Sequence, residues 1–191
     1  MKERFVFHKG FWSEESFSYV ISPASKSRKQ FVQKDQCIEN TYNEEIKDFD
    51  YISMITKKSY PVGTTVKATC SFDKFGAPLL VITDDCRELE EGGLMYGLHF
   101  EIVAYENGCN VWHIVPGKGE EPIEVTKVNS MEFSIEEKSM IQMEVTILKG
   151  ELQIKVNDHI MIAKHPDIPE KMQVGITACE GINQFYDLEI E

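Results

Sequence analysis

Apolar and polar residues alternate with a period of two along most of this chain, and that pattern restricts its fold more than any other feature. Val66, Ala68, Cys70 and Phe72 share one phase, as do Ile141, Met143, Val145 and Ile147. Leu152, Ile154 and Val156 repeat the pattern, and Met172, Val174, Ile176 and Ala178 repeat it again. Successive side chains of a strand point to opposite sides, so such stripes predict strands with one face in a core. No long segment carries the 3.6-residue spacing of an amphipathic helix. Further strands are predicted over Glu3–Phe7, Phe17–Ile21, Tyr51–Thr56, Leu79–Thr83, Pro122–Lys127, Met131–Glu136 and Phe185–Ile190. The polar stretch Asp35–Asp48 reads as a loop or one helical turn, and Pro166-Asp-Ile-Pro169 as a rigid connection.

Short strands in this number, about a dozen, must bury their apolar faces by stacking two sheets or closing a barrel. The chain has 191 residues, enough for one substantial core and short for two. No repeat and no Pro/Gly/Ser linker divides it. The expectation is therefore all-β, a two-sheet antiparallel β-sandwich, with one domain over residues 1–191.

Charge and cysteine usage narrow the partners. Twenty basic side chains against 32 acidic ones leave a net charge of −12. That field opposes nucleic acid, whose binders need a basic stripe. The one dense basic cluster, Lys26-Ser27-Arg28-Lys29, reads as a solvated loop. No run approaches the roughly 18 to 20 apolar residues of a membrane helix, so no membrane partner is expected. The opening MKERFVFHKGFW lacks the apolar segment and cleavage site of a secretory leader. The cysteines, Cys37, Cys70, Cys86, Cys109 and Cys179, are odd in number and contain no Cys-x-x-Cys pair. Reduced thiols and a cytoplasmic location are the expectation.

The strongest turn signal is Asn107-Gly108, between Leu98–Glu106 and Cys109–Val115. A two-residue turn there would set Tyr105 opposite Asn110 and Val103 opposite Trp112. Phe100, Ile102, Ala104, Val111, His113 and Val115 would then share the core face. The other face would carry His99, Glu101, Val103, Tyr105, Asn110, Trp112 and Ile114. Large aromatics beside a carboxylate, an amide and an imidazole suit a sugar: rings stack on pyranose C–H faces, and polar groups take the hydroxyls. The alternative is that Tyr105 and Trp112 pack beneath a loop, with Glu101 as a structural acceptor.

Other chemistry is not signalled. His8, His99, His113, His159 and His165 show no His-x-x-x-His or His-x-His spacing, so no metal site is expected. Asp84-Asp85 and Glu88–Glu91 lack the ordered spacing of a calcium loop and read as surface charge. No Gly-rich phosphate loop and no Gly-x-Ser-x-Gly elbow is present, and no cofactor is implied. In Cys179-Glu-Gly-Ile-Asn183, Gly181 permits a tight turn, Asn183 offers an amide, and Cys179 has no base beside it.

The run from Tyr96 to Ile114, YGLHFEIVAYENGCNVWHI, resembles bacterial proteins of the concanavalin A-like lectin/glucanase group. So does His165–Asp187, HPDIPEKMQVGITACEGINQFYD. The resemblance runs from about Phe49 onwards and is weaker in the first 45 residues. It implies a jelly roll with one concave sheet, where members of the group usually bind carbohydrate, and it puts the hairpin in that sheet. The Glu-x-Asp-x-x-Glu strand of its glucanase members is missing here, which speaks against hydrolysis. The leading expectation is a non-catalytic carbohydrate-binding protein using Trp112 and Tyr105 for stacking, and His99, Glu101, Asn110 and Asn183 for hydroxyls. The alternatives are a glycoside hydrolase with Glu101 as a catalytic carboxylate, paired with Glu144 or Glu180, or a protein-interaction scaffold that forms a homodimer.

Overall fold

The computed structural model describes residues 2–25, 27–42, 51–117 and 121–191. Lys26 of the basic cluster and the end of the Asp35–Asp48 segment lie outside the described residues. The first strands are β1 (Glu3–Val6), β2 (Phe17–Ile21), β3 (Val32–Gln33), β4 (Ile38–Glu39), β5 (Tyr51–Thr56) and β6 (Tyr60–Pro61). Then follow β7 (Thr65–Asp73), β8 (Ala77–Thr83), β9 (Cys86–Glu88), β10 (Leu94–Tyr96), β11 (His99–Tyr105) and β12 (Gly108–Val115). The last are β13 (Glu124–Glu132), β14 (Ile141–Leu148), β15 (Glu151–Val156), β16 (His159–Lys164), β17 (Lys171–Cys179) and β18 (Ile182–Ile190). A single 3-10 turn, Glu14–Ser16, is the only helical element among the described residues. Ser13 caps it, its hydroxyl accepting from the Glu15 amide.

The strands form two stacked sheets. One has eight strands in the order β16-β15-β14-β7-β18-β4-β3, with β1 beside β18. The other has ten in the order β13-β12-β11-β8-β17-β5-β2-β10-β9, with β6 beside β17. Pairing is antiparallel throughout except where Leu94-Met95 of β10 runs parallel to Val20-Ile21 of β2. Between the sheets, Ala68, Cys70, Phe72, Met143 and Val145 meet Leu80, Ile82, Phe100, Ile102, Val111 and Ile176 in one contiguous core. Fully burying a side chain such as Phe100 or Ile102 stabilises by about 1.5–3 kcal/mol.

The two sheets differ in what their outer faces do. Strands β14 and β15 alternate strictly between buried and open positions, so the outer face of the eight-stranded sheet meets water. In the ten-stranded sheet every residue of β8 is buried. Its odd positions leave the main core. Val81 packs with Val20, Ile55 and Tyr96, while Ala77 and Leu79 pack with Cys179, Tyr51, Val103 and Tyr105. The uninterrupted apolar run of β8 thus signals a second covered face.

Candidate functional site

The hairpin β11–β12 lies in the ten-stranded sheet, and its turn differs from expectation. Tyr105 pairs with Gly108, Val103 with Asn110 and Glu101 with Trp112, so the two-residue turn is Glu106-Asn107. Gly108 opens β12 at a φ of 135°, and a Cβ there would meet the Met131 carbonyl of β13 at 2.0 Å. Only glycine allows β13 to lie that close. The register is displaced by two residues, an even number, so each side chain keeps the face expected for it. Phe100, Ile102, Ala104 and Val111 face the core, and Glu101, Tyr105, Asn110 and Trp112 face outward.

Those outward residues line a cleft of about 710 Å³. Its floor is largely aliphatic, with Leu79, Val103 and Ile114 among its residues. Trp112 and Tyr105 are half-buried in its wall. The register of β12 against β13 shifts between Val111 and Trp112, which sets Lys127 opposite Trp112 and brings its Nζ to 5.0 Å from the ring. Asn110 Oδ1 is buried in the same cleft with no hydrogen-bond partner in the structure.

Glu101 is 4% exposed, and its Oε1 lies 3.4 Å from Nε2 of the fully buried His99. His99 shares Glu101's face of β11 but sits beneath cover, stacked on Tyr96 at 4.8 Å. Its Nδ1 is 2.7 Å from the Gly97 carbonyl, an acceptor, so Nδ1 carries a proton. Nε2 faces the Glu101 carboxylate at 3.4 Å, buried and without a well-formed hydrogen bond. Tyr96 is fixed in turn, its hydroxyl bonding Ser53 Oγ at 2.6 Å, which bonds Thr177 Oγ1. Burial raises the Tyr96 hydroxyl far above the ordinary tyrosine range and keeps it neutral.

The remaining expected site residues are placed as follows. Asn183, on β18 of the opposite sheet, lies outside the cleft and is fully buried. Its Nδ2 donates to the carbonyls of Cys179 and Glu180 at 3.1 and 2.8 Å, and its backbone N–H donates to Asn40 Oδ1. It thus clamps the turn at Glu180 and Gly181, whose φ values are 55° and 29°. Glu180 lines the cleft, whereas Glu144, on β14 of the other sheet, faces Lys67. Burial pushes the Cys179 thiol up to about 12, so it stays protonated at neutral pH. Asp85 pairs with Arg87, and Glu91 with Arg28 of the basic cluster.

Two further aromatics line the cleft that patterning did not single out. Tyr51 enters from β5 beside Cys179. Phe75 stands at the mouth, 72% exposed, on a turn where Lys74 and Phe75 both have positive φ. A bulky side chain held in that region of backbone space is strained, and such positions concentrate at binding sites. The signal was an aromatic in the turn Asp73-Lys-Phe-Gly76 rather than on a strand.

No family model matches the chain, and no curated protein matches its sequence. Solved structures do match its fold. A glycoside hydrolase family 16 endo-glucanase from Bacteroides ovatus superposes with a TM-score of 0.64 at 8% identity, covering 99% of each chain. A protein of unknown function with a galectin-like fold from Bacillus subtilis gives 0.63 at 10% identity, over 99% of this chain and 94% of that one. A carbohydrate-binding module from Bacillus subtilis gives 0.60 at 9% identity, over 81% of this chain and 86% of that one. The fold is accordingly the concanavalin A-like jelly roll, an architecture that carries both binding modules and enzymes.

Proposed function

We propose that this chain binds a carbohydrate in the cleft of its ten-stranded sheet. The observation that carries the reading is Asn110 Oδ1, a buried acceptor without a donor, in a cleft shared with Trp112, Tyr105 and Glu101. Leaving such an acceptor unmet costs about 1–3 kcal/mol, which a ligand hydroxyl would recover. The aliphatic floor and the two rings suit the C–H faces of a pyranose, and Glu101 and Asn110 suit its equatorial hydroxyls. Lys127 occupies one face of the Trp112 ring, so a sugar would stack on the other. His99 would hold Glu101 in place from behind rather than touch the ligand.

The test is calorimetric titration with a panel of oligosaccharides. The wild-type chain is expected to bind at least one, and Trp112→Ala to weaken that binding about tenfold or more, equivalent to about 1.4 kcal/mol, while the chain stays folded. A variant that only unfolds would identify the ring as packing. No binding by the wild type, with a stable dimer in solution, would instead favour an interaction scaffold.

A second reading, a glycoside-active enzyme, is favoured by the Glu101–His99 pair. A carboxyl group 4% exposed beside an imidazole at 3.4 Å is placed to move a proton, which binding alone does not require. Glu180 lines the same cleft and is the second carboxylate that glycoside hydrolysis would need. The endo-glucanase that superposes along nearly the whole chain adds weight to this reading. It predicts turnover of a bound oligosaccharide that Glu101→Gln abolishes while binding persists. Binding without turnover by the wild type would leave the first reading alone.

A further inference from the structure

Outside the cleft, at the edge where the two sheets are joined, three potential metal ligands converge. His113 comes from β12, on the strand's core-facing side, with Phe100 packed at 4.9 Å. His165 and Asp167 come from the connection between β16 and β17, the segment that carries the chain from the eight-stranded to the ten-stranded sheet. One ligand atom from each of the three lies within 4.8 Å of the other two. Asp167 Oδ2 is 3.4 Å from His113 Nε2 and 3.8 Å from His165 Nδ1. The rings of His113 and His165 face each other at 4.1 Å.

Several features of this cluster point to a ligand. His113 Nε2 is buried and has no hydrogen-bond partner, so a polar atom inside the protein aims at Asp167 without a well-formed bond. His165 Nδ1 accepts a long bond from the Asp167 backbone N–H at 3.3 Å, so that nitrogen carries the ring's lone pair, which it would exchange from the amide to the metal. Ligands 2.0–2.1 Å from a tetrahedral zinc ion are about 3.4 Å from one another, so the His113–Asp167 edge already has that length. His165 must turn partly out of its stack to complete the set. It can do so, because it is half-buried on a connection rather than locked in a strand.

We propose that His113, His165 and Asp167 bind a divalent transition-metal ion, with zinc the best fit. Two imidazoles and one carboxylate select zinc and its neighbours over calcium or magnesium, which prefer oxygen ligands. Three protein ligands leave a fourth position for water. Asp167 is half-exposed, so that position opens towards solvent. The ion would tie the sheet-to-sheet connection to β12, the strand that presents Asn110 and Trp112 to the cleft.

The test uses the full chain, stripped with chelator and titrated with zinc chloride by calorimetry, and with cobalt(II) by absorption. The expected result is one site per chain. Its cobalt spectrum should show d–d bands of nitrogen and oxygen ligation without thiolate-to-cobalt charge transfer. His165→Ala and Asp167→Asn sit on the connection and should fold; each is expected to weaken zinc binding at least tenfold. Zinc should raise the melting temperature of the wild type and not that of His165→Ala. No saturable binding, wild-type affinity retained in both variants, or a thiolate band reporting one of the free cysteines would overturn the proposal.

Discussion

At Asn183 a single amide closes the two carbonyls of the turn that holds Glu180 at the cleft. Asn183→Ala should therefore destabilise the chain by about 1–3 kcal/mol, because both carbonyls lose their buried donor. Chemical denaturation would measure this, and an unchanged midpoint would show the clamp to be dispensable. His99 makes a related point. Parity along β11 puts it on the face of Glu101 and Tyr105, and that much could be read from alternation. Tyr96, only three residues earlier, covers it and makes it a support for Glu101 rather than a wall of the cleft, but the Tyr96 hydroxyl is anchored by Ser53 of β5, far back in the chain. No local pattern encodes that anchor. The same holds for His113, His165 and Asp167, whose spacing along the chain carries no metal signature.

The β11–β12 hairpin shows how an element can be misplaced yet correctly faced. The Asn-Gly pair drew the expected turn one residue too late, because Gly108 answers to the close approach of β13 rather than to the turn itself. Gly108→Ala should cost several kcal/mol, since its Cβ would lie 2.0 Å from the Met131 carbonyl and the positive φ adds strain. Thermal unfolding would register the loss, and a near-neutral variant would mean that β13 can move aside. Strand β13 also merges what alternation reads as two strands, Pro122–Lys127 and Met131–Glu136, into Glu124–Glu132. It is an edge strand with most of its side chains open to solvent, so burial imposes little pattern on it. Asn129, between the two expected strands, sits in the ladder and donates its amide to the Ile162 carbonyl of β16.

At the scale of the whole molecule, two ion pairs, one tying β1 to the turn after β5 and one local to the turn after β8, set the response to acid. The Lys58 ammonium, aided by the Tyr60 hydroxyl and opposed by partial burial, holds Glu3 of β1 below the usual carboxylate range. Arg87, aided by the Leu98 amide and likewise opposed by burial, does the same for Asp85 between β8 and β9. A carboxylate whose folded pKa is depressed contributes stability above its unfolded value, near 4, and that contribution is lost as pH falls towards the folded value. Denaturation midpoints should thus be level from about pH 7 to 5 and fall below about pH 4, with a shallower fall in Asp85→Asn. An identical acid slope in that variant would remove Asp85 from the account. Alternation determined that this chain would form a two-sheet sandwich and which residues of β11 and β12 would turn from the core, because burial on one face imposes a period that a short segment records. The anchoring of the Tyr96 hydroxyl by Ser53, the bond from the Asn183 backbone amide to Asn40 behind the cleft and the meeting of His113 with His165 were decided only by the tertiary structure, since these join residues so far apart along the chain that no local pattern records them.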